Sequence, residues 1–290
     1  MNSSDGDRLY RFLFEDFPIR GQWVRLEATW EEAQSRRTDP APVRRLLGES
    51  MAAAALLTAG IKFEGRLNLQ VEGDGPLRLL LAQCDHHLHL RATARYDQDL
   101  PAEQLDFGDN GRLLLALEGQ KPGERYQGVV PLAGDDLAGA IEHYFTQSEQ
   151  LPARLLLAGD AHAVVGLLLQ RMPGDSPDED AWNRCNHLLD TLSPAELLQW
   201  PVETLLRRVF AEETIRLFDP TPVSFRCRCS REGVATMLRQ LGEAELQDIL
   251  REQGGVTVTC EFCGRDYGFD AVDVGQLLVV DTPPASGLTH

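Results

Sequence analysis

The sequence predicts an α+β protein with a large mixed N-terminal domain (1–174), an acidic amphipathic helical linker (175–222) and a small C-terminal four-cysteine domain (223–290). Three observations predict it. Strand-like and helix-like runs mix up to residue 174 without a regular βαβ alternation. Prolines and helix-start signals crowd the chain from Pro173 onward. Four of the six cysteines then fall as C-x-C and C-x-x-C, with thirty residues between the two pairs.

In the first domain, alternating apolar runs read as strands over Trp23–Glu27, Gly65–Val71, Leu77–Leu81 and Leu113–Leu117. Glu72-Gly-Asp-Gly-Pro76 joins two of them as a hairpin turn; it lacks the Lys and following helix of a phosphate-binding loop. Val43–Ala59 reads as an Ala/Leu-rich helix, and Asp135–Gln147 as a second with Leu137, Ile141, Tyr144 and Phe145 at helical spacing. In the linker, Ser176-Pro-Asp-Glu179 and Ser193-Pro-Ala-Glu196 both have the form of a capping box. Pro201 opens a helix with Val202, Leu205, Leu206, Val209 and Phe210 on one face, a stripe that must dock on another surface. The last domain reads as two helices, Ser230–Leu241 (Val234, Met237, Leu238, Leu241) and Glu243–Arg251 (Leu246, Ile249, Leu250). A strand, Val256–Cys260, and a short flexible tail follow.

Formal charge is −17, and residues 175–220 hold ten acids against four arginines, −6 of that total. Such a surface repels nucleic acid and anionic membranes. No run approaches the roughly 20 apolar residues that span a bilayer, and Met1–Asp7 has no signal-peptide character. The expected compartment is the cytoplasm, where thiols are kept reduced and cysteines read as metal ligands or redox groups. Catalytic readings are thin, with no Gly-x-Ser-x-Gly elbow, His-Glu-x-x-His helix or ATP-site motif.

Cys227, Cys229, Cys260 and Cys263 form two short chelate arms, the pattern of a tetrahedral structural zinc site with one Zn²⁺. Gly264 supports this, because a zinc knuckle folds back through a left-handed residue that lets backbone N–H groups point at sulfur. Some 60 residues with so little apolar surface need such a staple. Arg226, Arg228, Arg231 and Arg265 lie near in sequence and favour thiolates. From spacing alone the site reads as an inert staple before a redox switch, although the C-x-C arm departs from the usual ribbon. Cys185, with Trp182, Leu188 and Leu189, reads as a buried core thiol. Cys84-Asp-His86-His87-Leu-His89, taken as a strand, offers only two ligands per face, and its histidines read as ordinary surface or core residues.

Phe225-Arg-Cys-Arg-Cys-Ser230, Leu241-Gly-Glu-Ala-Glu-Leu246 and Val258-Thr-Cys-Glu-Phe-Cys-Gly264 with Tyr267 and Phe269 closely resemble the redox-regulated 33-kilodalton heat-shock holdase family. Leu46–Leu57, Gln70–Leu77, Arg125–Leu132 and Tyr144–Pro152 also look like family blocks; Ala92 departs, standing where members usually have Gly. The resemblance implies an ATP-independent chaperone rather than an enzyme, zinc-bound and inactive when reduced. Oxidation is then expected to close Cys227–Cys229 and Cys260–Cys263, release zinc and unfold the small domain. The stripe Val202, Leu205, Leu206, Val209 and Phe210 becomes the client-binding candidate, with unfolded proteins as partners and a homodimer as the active form. The rival class is a zinc-ribbon module binding nucleic acid or the ribosome, which a basic patch at Arg226, Arg228 and Arg231 suggests.

Overall fold

In a computed structural model, residues 7–97, 107–108, 110–119, 121, 123–132 and 136–279 are described. The chain divides into two compact units, Met1–Arg226 and Cys227–His290.

The first unit opens with strands β1 (Arg8–Phe14) and β2 (Ile19–Leu26), then helices α1 (Ala28–Gln34) and α2 (Ala41–Ala59). Strands β3 (Gly65–Glu72), β4 (Leu77–Asp85), β5 (His89–Tyr96), β6 (Arg112–Gly119) and β7 (Arg125–Pro131) follow. Helix α3 (Leu137–Tyr144) runs into a π-helical turn (Phe145–Glu149), then β8 (Ala153–Gly159) and β9 (Val164–Arg171). Helices α4 (Ala181–Asp190), α5 (Pro194–Gln199) and α6 (Val202–Val209) precede three short strands, β10 (Ile215–Leu217), β11 (Thr221–Pro222) and β12 (Ser224–Phe225).

Two sheets result. One runs β10-β1-β2-β9-β8 with β11 also on β1, the other β12-β5-β4-β3-β6-β7. The expected hairpin joins β3 to β4, pairing Val71 with Leu80 and Leu67 with Cys84. Helix α2 packs on strands of both sheets and is buried almost all round from Val43 to Leu57. A surface helix shows one apolar stripe; from Met51 to Leu57 α2 is apolar on every side, the mark of a central helix. Its alanines, Ala52–Ala55, allow close approach to the strands on either side. Strand β9 is buried on both faces. Val164 and Leu168 face the α2 core, whereas Val165, Leu167 and Leu169 join a second core, as the period of two requires. Gly21 lies opposite Phe12 in the β1–β2 ladder, and a Cβ there would stand 2.0 Å from the Phe12 ring. Only glycine lets that ring lie flat across β2.

That second core is where the linker goes. Ala181, Cys185, Leu189 and Leu197 pack with Val202, Leu205, Leu206, Val209 and Phe210 against Phe12, Phe14, Phe17, Ile19 and Trp23. The stripe therefore docks on the β1-β2-β9-β8 sheet, within the same compact unit as the strands it covers. The Ser193 box forms as expected, Ser193 Oγ accepting from Glu196 N–H at 3.3 Å and Glu196 accepting from Ser193 N–H at 2.9 Å. The Ser176 box does not. Ser176 Oγ donates to Asp178 C=O instead, and α4 begins only at Ala181. Helix α3 is shorter than expected because the chain widens into the π turn after Tyr144; Asp135 lies outside the described residues. Asp136 caps it, accepting from Gly139 N–H at 2.7 Å.

The second unit holds α7 (Arg231–Leu241), α8 (Glu243–Gln253), an antiparallel pair β13 (Val256–Thr259) and β14 (Asp266–Phe269), and α9 (Ala271–Val279). Its core is small: Ala235, Leu238, Leu246, Val256, Tyr267, Phe269, Val274 and Leu277. The α7 stripe differs from expectation. Leu238 is buried with Ala235, while Met237 and Leu241 are 45% and 50% exposed. The expected tail beyond Val279 lies outside the described residues.

Candidate metal centre

Two local structures bring the four cysteines together. Cys227 and Cys229 sit on the extended arm before α7, which Ser230 starts by accepting from Gly233 N–H at 3.0 Å. Cys260 and Cys263 bracket the turn between β13 and β14. Cys260 C=O accepts from Gly264 N–H at 2.8 Å, and Cys260 N–H donates to Arg265 C=O at 2.9 Å. Gly264 takes φ +66°, the left-handed conformation expected of the knuckle. Backbone N–H groups also reach sulfur, from Cys229 to Cys227 and from Arg265 to Cys263.

The four Sγ atoms all lie within 4.8 Å of one another. Cys227 and Cys260 are 3.7 Å apart, and Cys229 and Cys263 3.4 Å. Sulfurs tetrahedrally placed about 2.3 Å from one ion stand roughly 3.8 Å from each other, so the cluster fits zinc. Cys263 is buried and the other three half-buried. Burial pushes the Cys263 thiol up to about 12. Burial also acts to raise Cys229, but the hydrogen bonds of Tyr267 and the neighbouring thiols outweigh it and bring it down to about 7. The Tyr267 hydroxyl donates to Cys229 Sγ at 3.0 Å. These hydrogen bonds favour the thiolate at Cys229, the form that binds metal.

The arginines divide. Arg265 interacts electrostatically with Cys229 and Cys263 and pairs with Tyr267. Arg231 is committed elsewhere, to Gly268 C=O at 2.6 Å, Asp273 at 2.7 Å and the Phe269 ring face at 4.2 Å. Arg231 therefore braces β14 against α9. Spacing alone assigned no role to Tyr267 or Asp273, which reach Cys229 and Arg231 from β14 and α9 only in the folded unit.

The remaining cysteines are apart from this cluster. Cys84 and Cys185 are fully buried, in the α2 core and the linker core respectively. Burial pushes both thiols up to about 12. The segment after Cys84 is a turn rather than a strand, with Leu88 at φ +59°. Asp85 organises it, accepting from the N–H groups of His87 and His89 and lying 3.1 Å from His89 Nδ1. The client-binding candidates Val202, Leu205, Leu206, Val209 and Phe210 are each 7% exposed or less.

An α+β body followed by a compact four-cysteine unit defines a two-unit protein with a candidate thiol metal centre, and comparison with known proteins places it more closely. The model of the family described as Hsp33 protein matches residues 7–270. The chain is 46% identical over 275 residues to the 33 kDa chaperonin of Nitrosococcus oceani, covering 93% of this chain and 94% of that one. It is 42% identical over 289 residues to the 33 kDa chaperonin of Methylobacillus flagellatus, covering 98% and 99%. In fold it matches the crystal structure of the 33 kDa chaperonin from Thermotoga maritima with a TM-score of 0.79 over 94% of this chain and 98% of that one, at 23% identity. The chain belongs to the Hsp33 family of molecular chaperones.

Proposed function

We propose that this protein is a redox-regulated, ATP-independent holdase of the cytoplasm that takes up unfolding proteins after oxidative stress. The observation that carries the reading is the four-sulfur cluster in a unit with only eight buried apolar residues, Cys263 aside, among those described. Cys227, Cys229, Cys260 and Cys263 would hold one zinc ion, which when bound keeps the sulfurs as thiolates and ties the arm before α7 to the β13–β14 turn. Structural zinc contributes on the order of 10 kcal/mol to folding in small units of this kind. Two equivalents of hydrogen peroxide act, one on each neighbouring pair, Cys227 with Cys229 and Cys260 with Cys263; each takes two electrons as the S–S bond forms, and its O–O bond breaks to give two waters. A disulfide sulfur is no longer an anionic ligand, so the unit loses its staple.

The docking of α6 adds a second condition. Its stripe is covered by strands of the Met1–Arg226 unit, and the chain between α6 and Cys227 is pinned there by β10 and β11 on β1 and by β12 on β5. Loss of the zinc unit alone leaves the stripe covered. Heat or another unfolding stress must also lift α4–α6, and lifting them bares Phe12, Phe14, Phe17 and Ile19 together with the stripe. This supports a switch that needs oxidant and unfolding stress together. Two such bared faces on separate copies give the homodimer expected of the active state.

The test is light scattering from a thermally aggregating client. The peroxide-treated, warmed protein should suppress aggregation and the reduced zinc-loaded protein should not. Equal suppression by both sinks the redox reading, and tight salt-dependent RNA binding by the reduced form would favour a ribbon module instead.

A further inference from the structure

A pocket of about 440 Å³ opens within the Met1–Arg226 unit, well inside the range of small-molecule sites. Leu56, Leu67, Leu115, Leu168, Tyr144 and Phe145 give it apolar walls from α2, both sheets and the π turn. Ile61 and Tyr126, 42% and 51% exposed, also line it and leave it open to solvent.

Its polar lining is unequal. Arg20 spends Nε on Gln170 Oε1 at 3.0 Å, a neutral partner, and its two terminal amino groups make no hydrogen bond among the described residues. The C-terminus of α2 does not need that guanidinium. Gln22, with its amide oriented by its neighbours, donates to Leu56 C=O and accepts from Gly60 N–H at 3.2 Å. Lys62, one of only two lysines in the chain, lines the same pocket two residues beyond Gly60 and makes no ion pair among the described residues. Glu149, the single carboxylate on the lining among the described residues, is already held by the hydroxyls of Tyr144 at 2.9 Å and Tyr126 at 3.3 Å. A half-buried guanidinium with a neutral partner, a second cation nearby and leucine walls form a site for an amphiphile with an anionic head. Arginine's planar fork suits a carboxylate in particular. Burial lowers the Arg20 pKa, in keeping with a cation short of counter-charge.

We infer that this pocket binds an aliphatic carboxylate of fatty-acid type, the chain among Leu56, Leu67, Leu115 and Leu168 and the head on Arg20 and Lys62. No cysteine is on its lining and it is tested on the reduced chain, so its failure and that of the redox reading are distinguishable. The experiment is calorimetric titration of the full-length, reduced, zinc-loaded protein with dodecanoate below its micellar concentration, beside dodecanol. One site per chain is expected, with dodecanol and Arg20→Gln each weakening binding by at least about tenfold. Lys62→Gln, an exposed change that leaves the fold untouched, should weaken it by about threefold and flatten its salt dependence. No saturable binding of dodecanoate overturns the inference. So does dodecanol binding as tightly as dodecanoate, which would make the pocket an apolar side-chain socket. If Arg20→Gln fails to fold, unchanged affinity in Lys62→Gln with equal binding of the alcohol is itself refutation.

Discussion

Phe210→Ala isolates the contact that keeps the linker closed. Phe210 is 2% exposed and meets Phe14 edge-on, with ring centroids 5.1 Å apart at 87°. Truncating a buried phenylalanine costs about 3–5 kcal/mol, and an edge-to-face partner adds about 1 kcal/mol to the loss from area alone. A value near 4 kcal/mol raises the population with α6 undocked by roughly a thousandfold, provided the undocked state never used the contact. Amide hydrogen exchange on the reduced protein reads this directly, since local opening sets exchange at Leu205, Leu206 and Val209. Their protection should fall steeply while amides of α2 keep theirs. Oxidised Phe210→Ala should then suppress client aggregation at room temperature, where the parent needs warming. Unchanged exchange in 202–209, or an undiminished need for heat, would refute the view that this docking is the second lock.

Cys227→Ser should abolish zinc retention and melt the Cys227–His290 unit, seen as loss of near-ultraviolet dichroism from Tyr267, while Cys84→Ser and Cys185→Ser retain one zinc per chain. A thiol-trapping time course on the metal-stripped protein should show Cys84 and Cys185 reacting last, since both are fully buried in the two cores of the Met1–Arg226 unit. Glu49, on α2, is raised from its usual 4.5 to about 7 chiefly by burial, with Arg45 opposing and Asp136 adding to the rise. A carboxyl raised on folding stabilises the fold relatively below pH 4.5 and loses that benefit as pH climbs to about 7. Glu49→Gln should remove a fall in stability of at most about 3 kcal/mol across that window, measured as the difference between parent and variant melts at pH 5 and pH 8. Ser193→Ala should cost about 1 kcal/mol through loss of the α5 capping box, visible in urea denaturation.

What could be read from the sequence was whatever is written in neighbouring residues. The C-x-C and C-x-x-C spacing, Gly264, the Ser193 box and the 3.6-residue stripe from Val202 to Phe210 each state their structure within a few positions, and each appears as expected. Contacts made across the fold were silent. Helix α1 went unread because its cap is Asp7, some twenty residues upstream, whose carboxylate accepts from Glu27, Ala28 and Thr29 at 2.5–3.2 Å. The Ser176 box misled because a motif's fit is no guarantee that the next turn is buried; α4 starts where Ala181 and Cys185 meet the sheet. Tyr267 became part of the metal centre only when β14 paired with β13. Composition and spacing by themselves determined a four-thiol centre in a core-poor unit and an amphipathic helix in need of a dock. The tertiary structure alone decided which surface that helix covers, because a stripe records that burial is required and carries nothing about the partner that supplies it.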